Sequence, residues 1–282
     1  VSAFEIATAS ADDLARMAEW ADAEGWNPGL TDNVAFFAAD PHGFLVGRLD
    51  GEPVACISVV RYGDTFGFLG LYITCPPLRG QGYGIQLWHA GLARLAGRTV
   101  GLDGVVAQQG NYRTSGFRTA WNNIRYEGTP SADTALPSDV VLADARSLPF
   151  DRLAAYDRRF FPASRDHFLA SWISAPHRSA LAAVRDGETQ GFAVIRAGRT
   201  ASRIGPLYAD SPDVAAALVN ALSDTLPGKP VAIDVPDVNG PAVRLAEQLG
   251  LTPSFETARM YTGAPPHIDH AGLFGVTSLE LG

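Results

Sequence analysis

Arg79-Gly80-Gln81-Gly82-Tyr83-Gly84 lies between two stretches of different period. Before it, Thr65 to Ile73 reads as a strand that Cys75-Pro76-Pro77 ends. After it, Ile85, Trp88, Leu92 and Leu95 recur at steps of three, four and three, one face of a helix over Gly82 to Leu95. Three glycines in five residues at a strand-to-helix turn let the backbone turn tightly and bring unpaired N–H groups close to an anion. The helix dipole adds favourable charge at the same end. A diphosphate fits such a turn. No Gly-Lys-Ser/Thr follows, so it is not a P-loop, and the glycine spacing is not that of a dinucleotide fold.

Upstream, Phe4 to Thr8 reads as a short strand, and Ser10 with Asp13 forms a capping box for a helix carrying Leu14, Met17 and Ala21, stopped at Gly25. Thr31 is expected to cap a second helix with Val34 and Phe37 inward, ended by Pro41. Phe44 to Leu49 and Pro53 to Arg61 then form strands joined by a tight Asp50-Gly51 turn. Downstream, Gly97 closes the helix and Thr99 to Val106 is a further strand. The mixture of strands and helices makes the fold class α/β (α+β).

Gly128 to Asp139 is rich in turn-formers and lacks periodicity, which sets a linker at residues 129–139 between a first domain, 1–128, and a second, 140–282. The order of elements repeats after it. Arg185-Asp186-Gly187-Glu188 matches Leu49-Asp50-Gly51-Glu52, a strand ends near Tyr208, and Ser211-Pro212 opens a helix with Ala215, Leu218, Val219 and Leu222 inward. Val231 to Val235 follows, with Asp234 falling where Asp103 falls in the first copy, and then a helix stopped by Gly250. At the position of the glycine-rich turn the second copy has Ala209-Asp210-Ser211-Pro212-Asp213, short of one N–H and acidic where an anion would sit. Phe274 to Leu279 alternates as a closing strand would.

Taken together, Arg79-x-x-Gly82-x-Gly84 after its strand resembles the Arg/Gln-x-x-Gly-x-Gly/Ala acyl-CoA signature of the GNAT superfamily. The likeness covers Phe4 to Gly128 directly and the second copy by element order. It implies two tandem GNAT-like domains, each a mainly antiparallel sheet flanked by helices. It also implies that the amides of Arg79, Gly80, Gln81, Gly82, Tyr83 and Gly84 hold the CoA diphosphate, while the main chain of Ile73 and Thr74 pairs with the pantetheine arm. Asn111-Tyr112-Arg113-Thr114-Ser115-Gly116-Phe117 looks like the family's Tyr-x-x-x-Gly-Phe segment. The resemblance therefore assigns Tyr112 to protonating the departing thiolate, with Asn111 beside the cofactor. The connection between the first two helices, with Trp26, Asn27 and Asp32, commonly lines the acceptor pocket in this family, and Trp121 and Asn123 are further candidates.

The chemistry is consistent with those residue types. An amine near pKa 10 must lose a proton before it attacks a thioester, and the leaving sulfur must gain one. Asp103 is the best-placed acid for the first task, although aspartates at strand ends more often cap turns. The expected reaction is transfer of an acetyl or other short acyl group from acetyl-CoA to a primary amine of a small molecule, by direct attack in a ternary complex. The alternative is a non-catalytic acyl-CoA-binding sensor.

A net charge of −8 without a basic block disfavours nucleic acid as partner. No basic leader precedes an apolar run and no run suits a membrane span, so a cytoplasmic location is expected. Cys56 and Cys75 are too few for a disulfide framework and read as small buried hydrophobes. His267 and His270 lack a third ligand for a metal, and His89 falls on a solvated helix flank.

Overall fold

Two runs of ten elements, in the same order, build the molecule. In the first run β1 (Phe4–Thr8), α1 (Ala11–Ala23) and α2 (Asp32–Ala39) precede β2 (Phe44–Leu49), β3 (Glu52–Tyr62) and β4 (Phe66–Thr74). Then come α3 (Tyr83–Arg94), β5 (Thr99–Val105), α4 (Gln109–Thr114) and β6 (Arg118–Gly128). The second run repeats this as β7 (Val141–Asp144), α5 (Phe150–Asp157), α6 (Asp166–Ser174), β8 (Arg178–Arg185), β9 (Glu188–Arg196), β10 (Ser202–Ala209), α7 (Pro212–Ser223), β11 (Val231–Pro236), α8 (Gly240–Gln248) and β12 (Thr252–Tyr261). A short strand, β13 (Leu273–Gly275), follows. The computed structural model describes residues 3–131 and 136–282, so part of the expected linker lies outside the described residues.

Local chemistry explains most of these boundaries. Ser10 accepts from the Asp13 amide while Asp13 caps the Ser10 amide, starting α1, and Gly25 leaves it at φ 80. Asp50-Gly51 and Asp186-Gly187 both take positive φ, the conformation of a two-residue hairpin turn. Two expectations are corrected. Val34 and Phe37 are 51% and 41% exposed, and Ala35 and Phe36 face inward instead, because α2 packs on α6, where Phe36 stacks against Trp172. Thr31 stands at the start of α2 without capping it, since its hydroxyl donates to the Pro176 carbonyl at 2.8 Å. On α3, Leu87, Trp88 and Gly91 are buried together with Leu95 just beyond, while Ile85 is half exposed. Cys56 is buried and Cys75 only partly so.

The strands join in one sheet in the order β1-β2-β3-β4-β5-β12-β6-β11-β10-β9-β8-β7, with β13 on β10. Among the described residues only β4–β5 and β10–β11 run parallel; the other pairs are antiparallel. The last strand of each run has changed sides. β12 inserts between β5 and β6, and β6 lies between β12 and β11, so a cut at the linker divides the chain but not the sheet. Helices α1, α2, α5 and α6 share one continuous core across both runs. On the other face α3 packs over the first run and α7 with α8 over the second.

The exchange explains why Asp234 repeats Asp103. Arg259 of β12 stands opposite Asp103 of β5, and Arg125 of β6 stands opposite Asp234 of β11, so each run's aspartate is met by the other run's last strand. Arg259 grips Asp103 through two bonds of 2.8 Å, and Arg125 reaches Asp234 at 2.8 and 3.3 Å.

Candidate active site

β4 and β5 are hydrogen-bonded only from Phe66/Thr99 to Leu69/Leu102 and then diverge. At the divergence β4 carries a bulge, with Leu71 at φ 46, which turns its free edge into the gap. The gap is the mouth of a cavity of about 650 Å3. Its outer end is formed by Thr74, Leu78, Arg79, Gly80, Gly82, Gly84 and Ile85. The middle is formed by Leu71, Tyr72, Ile73, Val105, Gln108 and Tyr112, and the inner end by Trp26, Asp103, Phe255, Thr257, Leu279 and Glu280.

At the outer end the turn is shaped to receive an anion. Gly80 and Gly82 have φ of 77 and 87, and a Cβ on either would point into open space. Among the described residues nothing accepts from the amides of Gly80 to Ile85, at the start of a twelve-residue helix. Gly84 is required for another reason: a Cβ there would meet Thr74 Oγ1 at 2.8 Å and the Tyr72 hydroxyl at 2.9 Å. These features fit a diphosphate. Arg79 turns back, donating through Nε to the Thr74 carbonyl at 2.8 Å and ion-pairing with Glu24, so that carbonyl is already engaged. The Gln81 side chain donates to the Pro77 carbonyl and Tyr83 packs on Phe4; neither lines the cavity.

Tyr112 is buried on the cavity wall with its ring stacked on Trp88, and Gly104 leaves room for it. Burial pushes its phenol well above the usual range, with Tyr72 adding to the effect, so it stays protonated at neutral pH. Asn111 is exposed, bonds to Gln108 at 2.7 Å and does not line the cavity.

Asp103 reaches the cavity, but its side chain is fully buried in the Arg259 pair and accepts from Asn123 at 2.8 Å. Burial pushes its carboxyl up against the pull of Arg259. Its twin Asp234, gripped by both Arg125 and Arg203, is instead held down despite its burial. This is a correction to Asp103 as the free acid of the site: both of its oxygens are committed to holding β12 in place.

The acceptor candidates divide. Trp26 lines the inner end, and its carbonyl accepts from Arg125 and Arg203. Asn27 does not line the cavity; it receives the Arg199 and Thr200 amides and donates to the Ala201 carbonyl, tying the first run to the second. Asp32 is likewise buried between runs, paired with Arg178 at 3.2 Å and Arg196 at 2.9 Å and accepting from the Gly29 amide. Trp121 packs on Tyr261 and His270 and donates to Asn123 Oδ1 at 3.1 Å. Asn27, Asp32, Trp121 and Asn123 are corrections: none lines the cavity, the first two tie the connection and α2 to the second run, and Asn123 links Trp121 to Asp103. Sequence reasoning misses Tyr72, Phe255, Thr257 and Glu280. Phe255 and Thr257 belong to the second run and Glu280 to the segment after β13, so they reach the cavity only through the strand exchange and that final segment.

A model described as the acetyltransferase (GNAT) family matches residues 11–117, and one described as an acetyltransferase (GNAT) domain matches residues 153–275. Holothin acyltransferase of Pseudoalteromonas sp. (strain SANK 73390) is 33% identical over 265 residues, 94% of this chain and 90% of that one. This chain belongs to the GNAT acetyltransferase family. It is a tandem member and an acyltransferase. A putative acetyltransferase from Pyrococcus horikoshii has the same fold at TM-score 0.82 and 22% identity, covering 99% of this chain and 96% of that one. A tandem GNAT protein from the clavulanic acid biosynthesis pathway has it at 0.65 and 17%, covering 93% and 100%.

In the second GNAT run the corresponding gap is filled. β10 and β11 are bonded only from Ser202/Val231 to Ile204/Ile233, and β13 then occupies the space beside β10, with the Val276 amide donating to the Asp234 carbonyl. Gly275 is close-packed there, since a Cβ would meet Ile233 and Leu207. Asp210 is engaged by Tyr156 and Arg159, and Ser211 caps α7. No helix among the described residues is long and apolar enough to cross a membrane.

Proposed function

We propose that this protein transfers an acetyl or other short acyl group from acetyl-CoA to a primary amine of a small molecule, in one ternary complex. The observation that carries the reading is the continuity of the cavity, from the glycine-rich turn along the free edge of β4 to an inner end walled by Trp26 and Phe255. The diphosphate would lie on the amides of Gly80 to Gly84 and the pantetheine arm along β4, which brings the thioester near Tyr112. Attack of an unprotonated amine expels the thiolate, and the buried Tyr112 phenol supplies its proton. Trp26 and Phe255 give the acceptor's body a partly aromatic setting; Thr257, whose hydroxyl is buried without a partner, offers it a hydrogen bond.

The test is incubation with acetyl-CoA and a panel of primary amines. Holothin belongs in the panel because the relative's name identifies it as that enzyme's acceptor. Free thiol should appear in the presence of the right amine, with the acylated product seen by mass spectrometry. Thiol release at the amine-free rate across the panel would refute the reading.

A further inference from the structure

The cavity lining contains three carboxylates: Glu24, Asp103 and Glu280. Glu24 pairs with Arg79 at the mouth, and Asp103 is held by Arg259 and Asn123. Glu280 is different. It is 4% exposed, its Oε2 is buried without a hydrogen-bond partner, and among the described residues no ion pair engages it. A buried carboxylate left unpaired is destabilising, so its presence calls for a ligand or a function.

Its position is tightly specified by its main chain. After β13 the segment is fixed by Arg165 donating to Thr277 and to the Gly282 carbonyl, by Ser58 donating to the Glu280 carbonyl, and by Tyr62 donating to the Leu281 carbonyl. Gly70, at the β4 bulge, has no Cβ, and one there would collide with the main chain of Glu280. β4 itself, Phe66–Thr74, contains no acidic residue. The segment that fills the second run's gap thus continues into the first run's cavity and brings a carboxylate to it.

We propose that Glu280 is the general base of the transfer, taking the proton of the acceptor amine; this rests on the reading of the cavity as an N-acyltransferase site. Glu280 takes one proton from the acceptor ammonium, and the neutral nitrogen then bonds to the thioester carbonyl carbon, its second proton passing to solvent as the amide forms. The C–S bond then breaks, its electron pair stays on sulfur, and the thiolate takes the Tyr112 proton. Glu280 returns its proton through solvent to the phenolate, leaving an amide and a free thiol.

The charged groups facing Glu280 are Arg203, Arg196, Arg125 and Asp32. The arginines are directly bonded to Asp234, Asp32 and main-chain carbonyls, so they favour the carboxylate at a distance without neutralising it. Burial pushes the carboxyl up, which makes its carboxylate a stronger base.

The experiment compares wild type with Glu280→Gln, using acetyl-CoA and the fastest primary alkylamine of the panel, 2-phenylethylamine being the first tried. At neutral pH kcat should fall about 10²–10⁴-fold while acetyl-CoA affinity by calorimetry stays at the wild-type value. The deficit should shrink from about pH 6 to about pH 10 as solvent deprotonates the amine, and Glu280→Asp should recover part of the rate. A wild-type kcat in Glu280→Gln overturns the proposal, as does a deficit constant across that pH range or matched by lost acetyl-CoA binding. Wild-type enzyme that releases thiol without forming any amide overturns the amine reading itself, and the role of Glu280 with it.

Discussion

Gly82 and Tyr112 carry separate parts of the chemistry and should fail separately. Gly82 sits at φ 87 with open space where a side chain would point, so Gly82→Val meets no neighbour in the protein. It strains the turn and projects methyls into the volume where the diphosphate would lie. Acetyl-CoA affinity should fall more than ~10-fold with the fold intact by circular dichroism; unchanged calorimetric binding would remove the turn from the cofactor site. Tyr112→Phe deletes only the hydroxyl and keeps the ring stacked on Trp88. Turnover should drop by roughly 10²–10⁴ with affinity near wild type, read in single-turnover kinetics. Both residues are legible in the sequence because their neighbours are local: a turn is its own six residues, and Tyr112 stands five before Phe117 on one short helix and turn. Asn27, Asp32 and Trp121 are misread for the opposite reason. Their partners, Ala201, Arg196 and Tyr261, lie more than a hundred residues away, and no local pattern marks them.

At the scale of elements the exchanged strands β6 and β12 account for both the misreading and the architecture. Neither is among the strands read from the sequence, and nothing in a strand's alternation says which neighbour it will pair with. The repeat of Asp103 as Asp234 is the one legible trace of the exchange, and its meaning depends on Arg259 and Arg125 standing opposite. Arg259 also lies over the rings of Phe68 and Trp121. Arg259→Met keeps much of that packing but leaves the Asp103 carboxylate buried with only Asn123. Breaking one partner of a buried pair costs about 3–5 kcal/mol, and urea unfolding should show a loss of that order. A double variant, Asp103→Asn with Arg259→Met, should recover a good part of it, because no unpaired charge remains. A loss under about 1 kcal/mol in the single variant would mean that the pair does not hold β12 to β5.

Over the whole molecule, one duplicated fold has been put to two uses. In the first run the diverging strands leave a cavity with a glycine-rich turn at its mouth. In the second, the same divergence between β10 and β11 is occupied by β13, and the turn is replaced by Asp210, Ser211, Pro212 and Asp213. Pro212 offers no N–H, Ser211 caps α7 for itself, and Asp210 is locked to Tyr156 and Arg159. A diphosphate arriving there would face two carboxylates at the helix start and a gap already packed with Leu273, Phe274 and Gly275, all buried. Expelling β13 to make room would also withdraw the segment carrying Glu280, so the second gap stays closed whenever the first site is complete. Calorimetric titration of the intact protein with acetyl-CoA should saturate at one equivalent per chain, and Gly82→Val should lower that single affinity without uncovering another. A stoichiometry of two, or full-strength binding that persists in Gly82→Val, would show that the second run keeps a working site despite its filled gap.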